Sequence, residues 1–323
     1  MKRWHVLMFV GLAMVGNQLP GQTVVPATTD HALAKIKEWG GSFSADRRAA
    51  NRPVVQVSLA ASKVSDDDLA TLAALQDLKM IDLSFTTISD ASLQHLQSLR
   101  ELRALNLDST RVSGPGLARL TMLPHLETLG MGGSQTTDRA LIQITGLTGL
   151  KRLDLSSSRV TDEGLKLLAG LPALEQIDLL GTQITDAGLS HLSQVPKLTK
   201  LSLVGTPLTD EGIRYLAQNL ELKMLVVDNT WIGDKGLQYL QESTALETLC
   251  LGLTRISDEG LKNLAGLKNL HTLSLSGTRV TDAGLNHLKG LTGLKKLVLS
   301  FSRVSEKGVD DLRAALPDCE IQW

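Results

Sequence analysis

The chain has 323 residues, 42% of them apolar, enough for a large buried core and enough to exclude disorder as its main state. Lys plus Arg total 33 against 34 for Asp plus Glu, and the net charge of −1 provides no overall basic field for nucleic acid or anionic lipid. Two cysteines exclude a disulfide-dense framework, and with only 3% aromatic residues the core must be filled by leucine.

At the N-terminus, Lys2 and Arg3 precede the uncharged apolar run Val6 to Val15. That order predicts a secretory signal over residues 1–23 and an exported protein, found in the periplasm, at the cell surface or outside the cell. An uncleaved anchor and a chance apolar start are the alternatives. Crossing a bilayer takes about 20 apolar residues, twice the length of this run, so no permanent membrane span is expected.

Residues 24–53 are predicted to cap the domain. Thr29-Asp30 is expected to start a helix with Leu33, Ile36 and Trp39 on one side, stopped by Gly40-Gly41. An edge strand over Ser42 to Asp46 then turns into the strand Val54 to Leu59.

Leu78, Leu102, Leu126 and every 24th residue to Leu294 are leucine, which with a first copy at Val54 gives about eleven repeats over residues 54–317. Numbering each repeat from that residue, positions 4 and 6 are apolar throughout, as in Leu153 and Leu155, and predict a short strand buried on one side. Positions 16 and 19, such as Leu165 and Leu168, switch to helical spacing. The Thr-Asp step at positions 12 and 13 (Thr161-Asp162, Thr185-Asp186, Thr281-Asp282) reads as a cap for that helix, and the aspartates therefore not as catalytic acids. Thr or Ser at position 9 (Thr86, Thr110, Ser158, Thr182, Thr278) is expected to hydrogen-bond buried backbone between neighbouring repeats. Such units cannot bury their apolar side alone, so they stack with parallel strands along an inner face and helices outside. Residues 318–323, where Cys319, Ile321 and Trp323 alternate with Glu320 and Gln322, read as a closing strand.

The shared pattern LxxLxLxxTxITDxGLxxLxxLxx, clear in Leu150 to Ala173 and Leu270 to Gly293, resembles the leucine-rich repeat family. The resemblance implies a single α/β solenoid, a horseshoe with a parallel inner sheet and outer helices. The ITDxGLxxL signature is most similar to the branch found in exported bacterial proteins and in the F-box receptors of ubiquitin ligases, and implies a protein-binding scaffold. Position 9 is Thr or Ser where those receptors have Cys, and no helical F-box is read ahead of the repeats.

Chemistry is sparse. His95, His191 and His287 all fall at position 18 on the outer helices, four repeats or about 19 Å apart, and cannot share a metal. His125 and His271 have no second histidine at ligand spacing. Cys250, at position 5 of an inner strand, lacks a histidine beside it and reads as an inert small residue; a Cys250 nucleophile is the enzymatic alternative. No phosphate loop or hydrolase motif occurs, and Gly130 to Gly133 lacks the following lysine. No cofactor and no metal are expected.

Function is therefore sought on the inner face, at positions 3, 5, 7 and 8. The N-terminal half carries Asp82, Asp108, Asp154 and Asp178 beside Ser84, Ser156 and Ser157. This strip reads as a solvated sheet face, with a cation or basic-partner site as the alternative. Repeats 6 to 9 carry Leu180, Val204, Met224, Val226, Cys250 and Leu253, with Trp231 on the adjoining edge, the composition of a partner-binding patch. Repeats 7 and 8 also break the pattern at Asn219, Gly233 and Ser243, which supports a site there. Position 10 forms a basic column, Lys63, Arg111, Arg159, Arg255, Arg279 and Arg303, whose last three charges are expected to be offset by Asp258, Asp282 and Glu306, the alternative being an anionic-polymer contact. The expected function is an exported, non-enzymatic scaffold presenting its concave face to a protein or a cell-surface polymer. A ubiquitin-ligase substrate receptor is the alternative among binding proteins.

Overall fold

The computed structural model describes residues 27–133 and 135–323. The predicted signal segment lies outside the described residues. Helix α1 (Ala27–Glu38) buries Ala32 and Ile36 and packs Leu33 and Trp39 against the core. Thr29 and Asp30 lie inside this helix, so they do not cap it as the sequence suggested. Its C-terminus closes as a Schellman turn: Gly40 takes φ +84°, its N–H donates to the Lys37 carbonyl, and the Gly41 N–H donates to the Ile36 carbonyl.

Strand β1 (Ser42–Ala45) runs antiparallel to β2 (Val54–Ser58), and from β2 onward every strand pairs in parallel with its counterpart in the next repeat. The strands are short: that of repeat 5 is Arg152–Asp154, with Leu153 in register between Leu129 and Ile177. The sheet runs in chain order through Lys296–Val298 to Glu320–Gln322. Leu153 and Leu155 are fully buried, and one apolar cluster extends from Ala32 to Cys319.

The outer segments mix α-helix with tighter 3₁₀ turns, as in Asp162–Leu165 followed by Lys166–Gly170. Apolar side chains at positions 16, 19 and 22 recur at every third place, the repeat that a 3₁₀ turn puts on one side.

The Thr-Asp step works across repeats. Asp162 accepts from the backbone N–H of Thr185 (2.9 Å) and from its hydroxyl (2.6 Å), and Asp258 does the same for Thr281. The aspartate therefore bonds the following repeat and not its own helix start, which corrects the local-cap reading. The hydroxyl does serve as a cap at Thr185, Thr209 and Thr281, where it accepts from the N–H two residues on. Glycine at position 15 makes room for this clasp: a Cβ on Gly212 would stand 2.5 Å from the Asp186 carboxylate.

The hydroxyls at position 9 are also local. Thr182, Thr206 and Thr230 each donate to the carbonyl three residues earlier in their own repeat, so they do not join neighbours. Position 8 is left-handed in all eleven repeats, with φ between 55° and 68° everywhere except 114° at Gly133. Gly181, Gly205, Gly277 and Asn229 accept that conformation readily, whereas Phe85, Leu253 and Phe301 adopt it against the steric preference of bulky side chains.

Candidate functional site

Two regions of the inner face differ physically. In the N-terminal half the acids are used by the backbone. Asp82, Asp154 and Asp178 each accept from the N–H two residues later in their own repeat, at 3.0, 2.8 and 2.9 Å, and Asn106 does the same for Asp108 at 2.9 Å. In two repeats where position 5 offers no such acceptor, the preceding repeat supplies one. Gly130 and Cys250 occupy that position in repeats 4 and 9, and the N–H groups of Gly132 and Gly252 donate instead to Asp108 (2.7 Å) and Asp228 (2.6 Å).

This strip is solvated only in part: Ser157 is exposed and Asp82, Asp108 and Asp178 are half-buried, whereas Asp154 is 5% exposed and Ser84 and Ser156 are also buried. Burial, reinforced by the neighbouring charge of Asp154, pushes the Asp108 carboxyl up to about 7. Burial also raises Asp228. The glycines of the Gly130 to Gly133 segment give these side chains space: a Cβ on Gly130 would lie 2.7 Å from the Asn106 side-chain oxygen and 2.9 Å from the Asp108 carboxylate.

In the C-terminal half the expected apolar patch divides. Trp231 is 60% exposed and Leu253 61%, while Leu180, Val204 and Met224 are half-buried. Val226 and Cys250 are buried, at 8% and 2%. They sit side by side in register on adjacent strands, close enough to cover each other along the inner curve of the sheet. Burial and the nearby Asp228 push the Cys250 thiol up to about 12, so the sulfur is protonated at neutral pH and poorly suited to nucleophilic attack. Both cysteines are free, and burial raises Cys319 as well. Among the described residues no group of three or more His, Cys, Asp and Glu side chains is placed to hold a metal ion.

Two of the three pattern breaks in repeats 7 and 8, Gly233 and Asn219, have structural roles. Gly233 lacks the position 12 hydroxyl, and Asp210 compensates by accepting from the N–H groups of both Gly233 (2.7 Å) and Gly236 (2.9 Å). Asn219 donates to the Leu198 carbonyl and accepts from the Glu221 N–H. These two departures therefore say nothing of a ligand.

The basic column differs from its expected form. Asp258 and Asp282 are engaged by Thr281 and Ser305, and neither they nor Glu306 pairs with an arginine. Among the described residues Arg279 and Arg303 have no carboxylate partner, and Arg255 stacks over the Trp231 ring at 5.6 Å.

The sequence matches the family described as Leucine Rich repeat at residues 147–169, 196–217, 242–265 and 266–287. No curated protein matches it. Among solved structures, an internalin from Listeria monocytogenes is similar with a TM-score of 0.59 and 20% identity, over 92% of this chain and 94% of that one. At that identity the likeness shows the fold alone.

Proposed function

The chain is a leucine-rich repeat protein, and on that premise we propose that it is an exported, non-enzymatic scaffold whose C-terminal repeats bind a protein partner. The observation that carries this reading is the exposure of Trp231 and Leu253 beside half-buried Leu180, Val204 and Met224. Large exposed apolar side chains, tryptophan above all, are the usual anchors of protein interfaces. Val226 and Cys250 are buried side by side on adjacent strands and are left out of the exposed patch. Export is supported by Lys2 and Arg3 before the apolar run Val6 to Val15. No helix among the described residues is long and apolar enough to cross a membrane.

Affinity capture on the immobilised protein supplies a partner for titration. Trp231→Ala with Met224→Ala is expected to weaken binding by at least about 2 kcal/mol, and Asp82→Ala by less than about 1 kcal/mol. The reverse ranking would move the site to the N-terminal half. Residues 1–23 fused to a reporter are expected to carry it out of a bacterial cytoplasm, and retention inside would remove export.

A further inference from the structure

The C-terminal edge of the sheet brings together two columns. The basic column is held in file by the backbone: the N–H groups of Arg255, Arg279 and Arg303 donate to the carbonyls of Ile232, Ile256 and Val280 in the preceding repeats, at 2.8, 3.0 and 2.9 Å. Such a ladder spaces the backbone of successive arginines by about 5 Å and keeps their side chains neighbours along one edge. Beside it runs the left-handed column at position 8, where Leu253 is 61% and Phe301 92% exposed.

Both columns are costly as they stand. Three like charges at that spacing repel, and the nearby Asp258 and Asp282 are bonded to hydroxyls instead of offsetting the repulsion. Leu253 and Phe301 hold φ at 55° and 61°, a conformation that glycine adopts freely at Gly277 between them. Phe301 buries almost nothing in return. Leu253 lies across the next repeat, where a Cβ on Gly277 would stand 2.6 Å from its Cδ2. A ligand that offsets the repulsion must be anionic, and one that covers the exposed Leu253 and Phe301 must offer apolar surface.

We propose that the edge formed by Trp231, Leu253, Arg255, Arg279, Phe301 and Arg303 docks an acidic, extended segment of a protein partner that carries apolar side chains. The inference rests on the scaffold reading and adds the chemistry of the ligand. Carboxylates bridge successive guanidinium groups, and apolar side chains cover Phe301 and Leu253. A peptide fits better than an anionic polysaccharide because the exposed aliphatic side chain of Leu253 gains nothing from sugar hydroxyls or sulfates.

The test is selection of a random linear peptide display library on the immobilised protein, followed by titration of the enriched peptides. They are expected to carry several acidic residues together with apolar ones. Affinity is expected to fall at least tenfold in the triple variant Arg255→Gln, Arg279→Gln, Arg303→Gln, and at least tenfold in Leu253→Gly with Phe301→Gly. Phe85→Gly, at the same position seven repeats from Leu253, is expected to leave it unchanged.

Phe301→Gly should melt no more than about 2 °C below the unaltered protein, since it removes strain and little packing. A larger fall would show that the ring is structural and would overturn the proposal. So would failure to enrich any peptide, enrichment without an acidic excess, or heparin binding that needs the arginines but not Leu253 and Phe301. If the selected peptides need Trp231 but survive the triple glutamine variant, the scaffold reading stands and the acidic ligand is lost. If they need neither, both readings fall.

Discussion

Asp108 shows how one side chain can be fixed by repeats that are not its own. Its carboxylate accepts from the Gly132 N–H because Gly130 leaves repeat 4 without an acceptor, and burial next to Asp154 raises it to about 7. A carboxyl raised on folding binds its proton more tightly in the native state, so its contribution to stability declines as pH rises from about 4 to about 7 and is constant above that. A displacement of this size corresponds to about 4 kcal/mol at most. Asp108→Asn keeps an acceptor for Gly132 and removes the titration. The stability of the variant relative to the unaltered protein should therefore rise across that window, read by denaturant unfolding at a series of pH values. A difference independent of pH would mean that Asp108 is not buried as described.

At the scale of the element, each repeat is held to its neighbours by the Asp-to-Thr clasp as well as by leucine. Glycine within a helix ordinarily costs about 1 kcal/mol relative to alanine, so Gly→Ala substitutions there tend to stabilise. Gly212 lies inside the helix Asp210–Leu216, yet a Cβ there would press on Asp186. Gly212→Ala is expected to destabilise by about 1–3 kcal/mol in thermal or denaturant unfolding, and a stabilising effect would contradict the clasp. Strand positions, repeat pitch and edge strand are legible in the sequence because apolar alternation at positions 4 and 6 acts within one repeat. The clasp is not, because an aspartate at a helix start reads as that helix's cap, while its true partner lies in the next repeat. The glycine column at Gly164, Gly188 and Gly212 is visible without a local reason for it. The left-handed column shows at Gly181, Gly205, Asn229 and Gly277, and is masked because Phe85, Leu253 and Phe301 share it.

For the molecule as a whole, the stack turns small differences between repeats into distinct regions along one face. Exposure of Trp231 and Leu253 can be read from sequence because nothing in the pattern requires them inside. Burial of Val226 and Cys250 cannot, since alternation places them outward and only the packing of adjacent strands along the inner face covers them. The N-terminal acids are likewise absorbed by backbone N–H groups, whereas the C-terminal edge combines arginines in three consecutive repeats with exposed apolar area at Leu253 and Phe301. Hydroxyl-radical footprinting of the protein, alone and bound to its captured partner, tests this division most directly because the reactive side chains are on both halves. Trp231, Leu253 and Phe301 are expected to lose reactivity on binding while Phe85, 67% exposed in repeat 2, keeps it. Protection of Phe85 with Trp231 and Phe301 unchanged would place the partner on the N-terminal half and contradict the account.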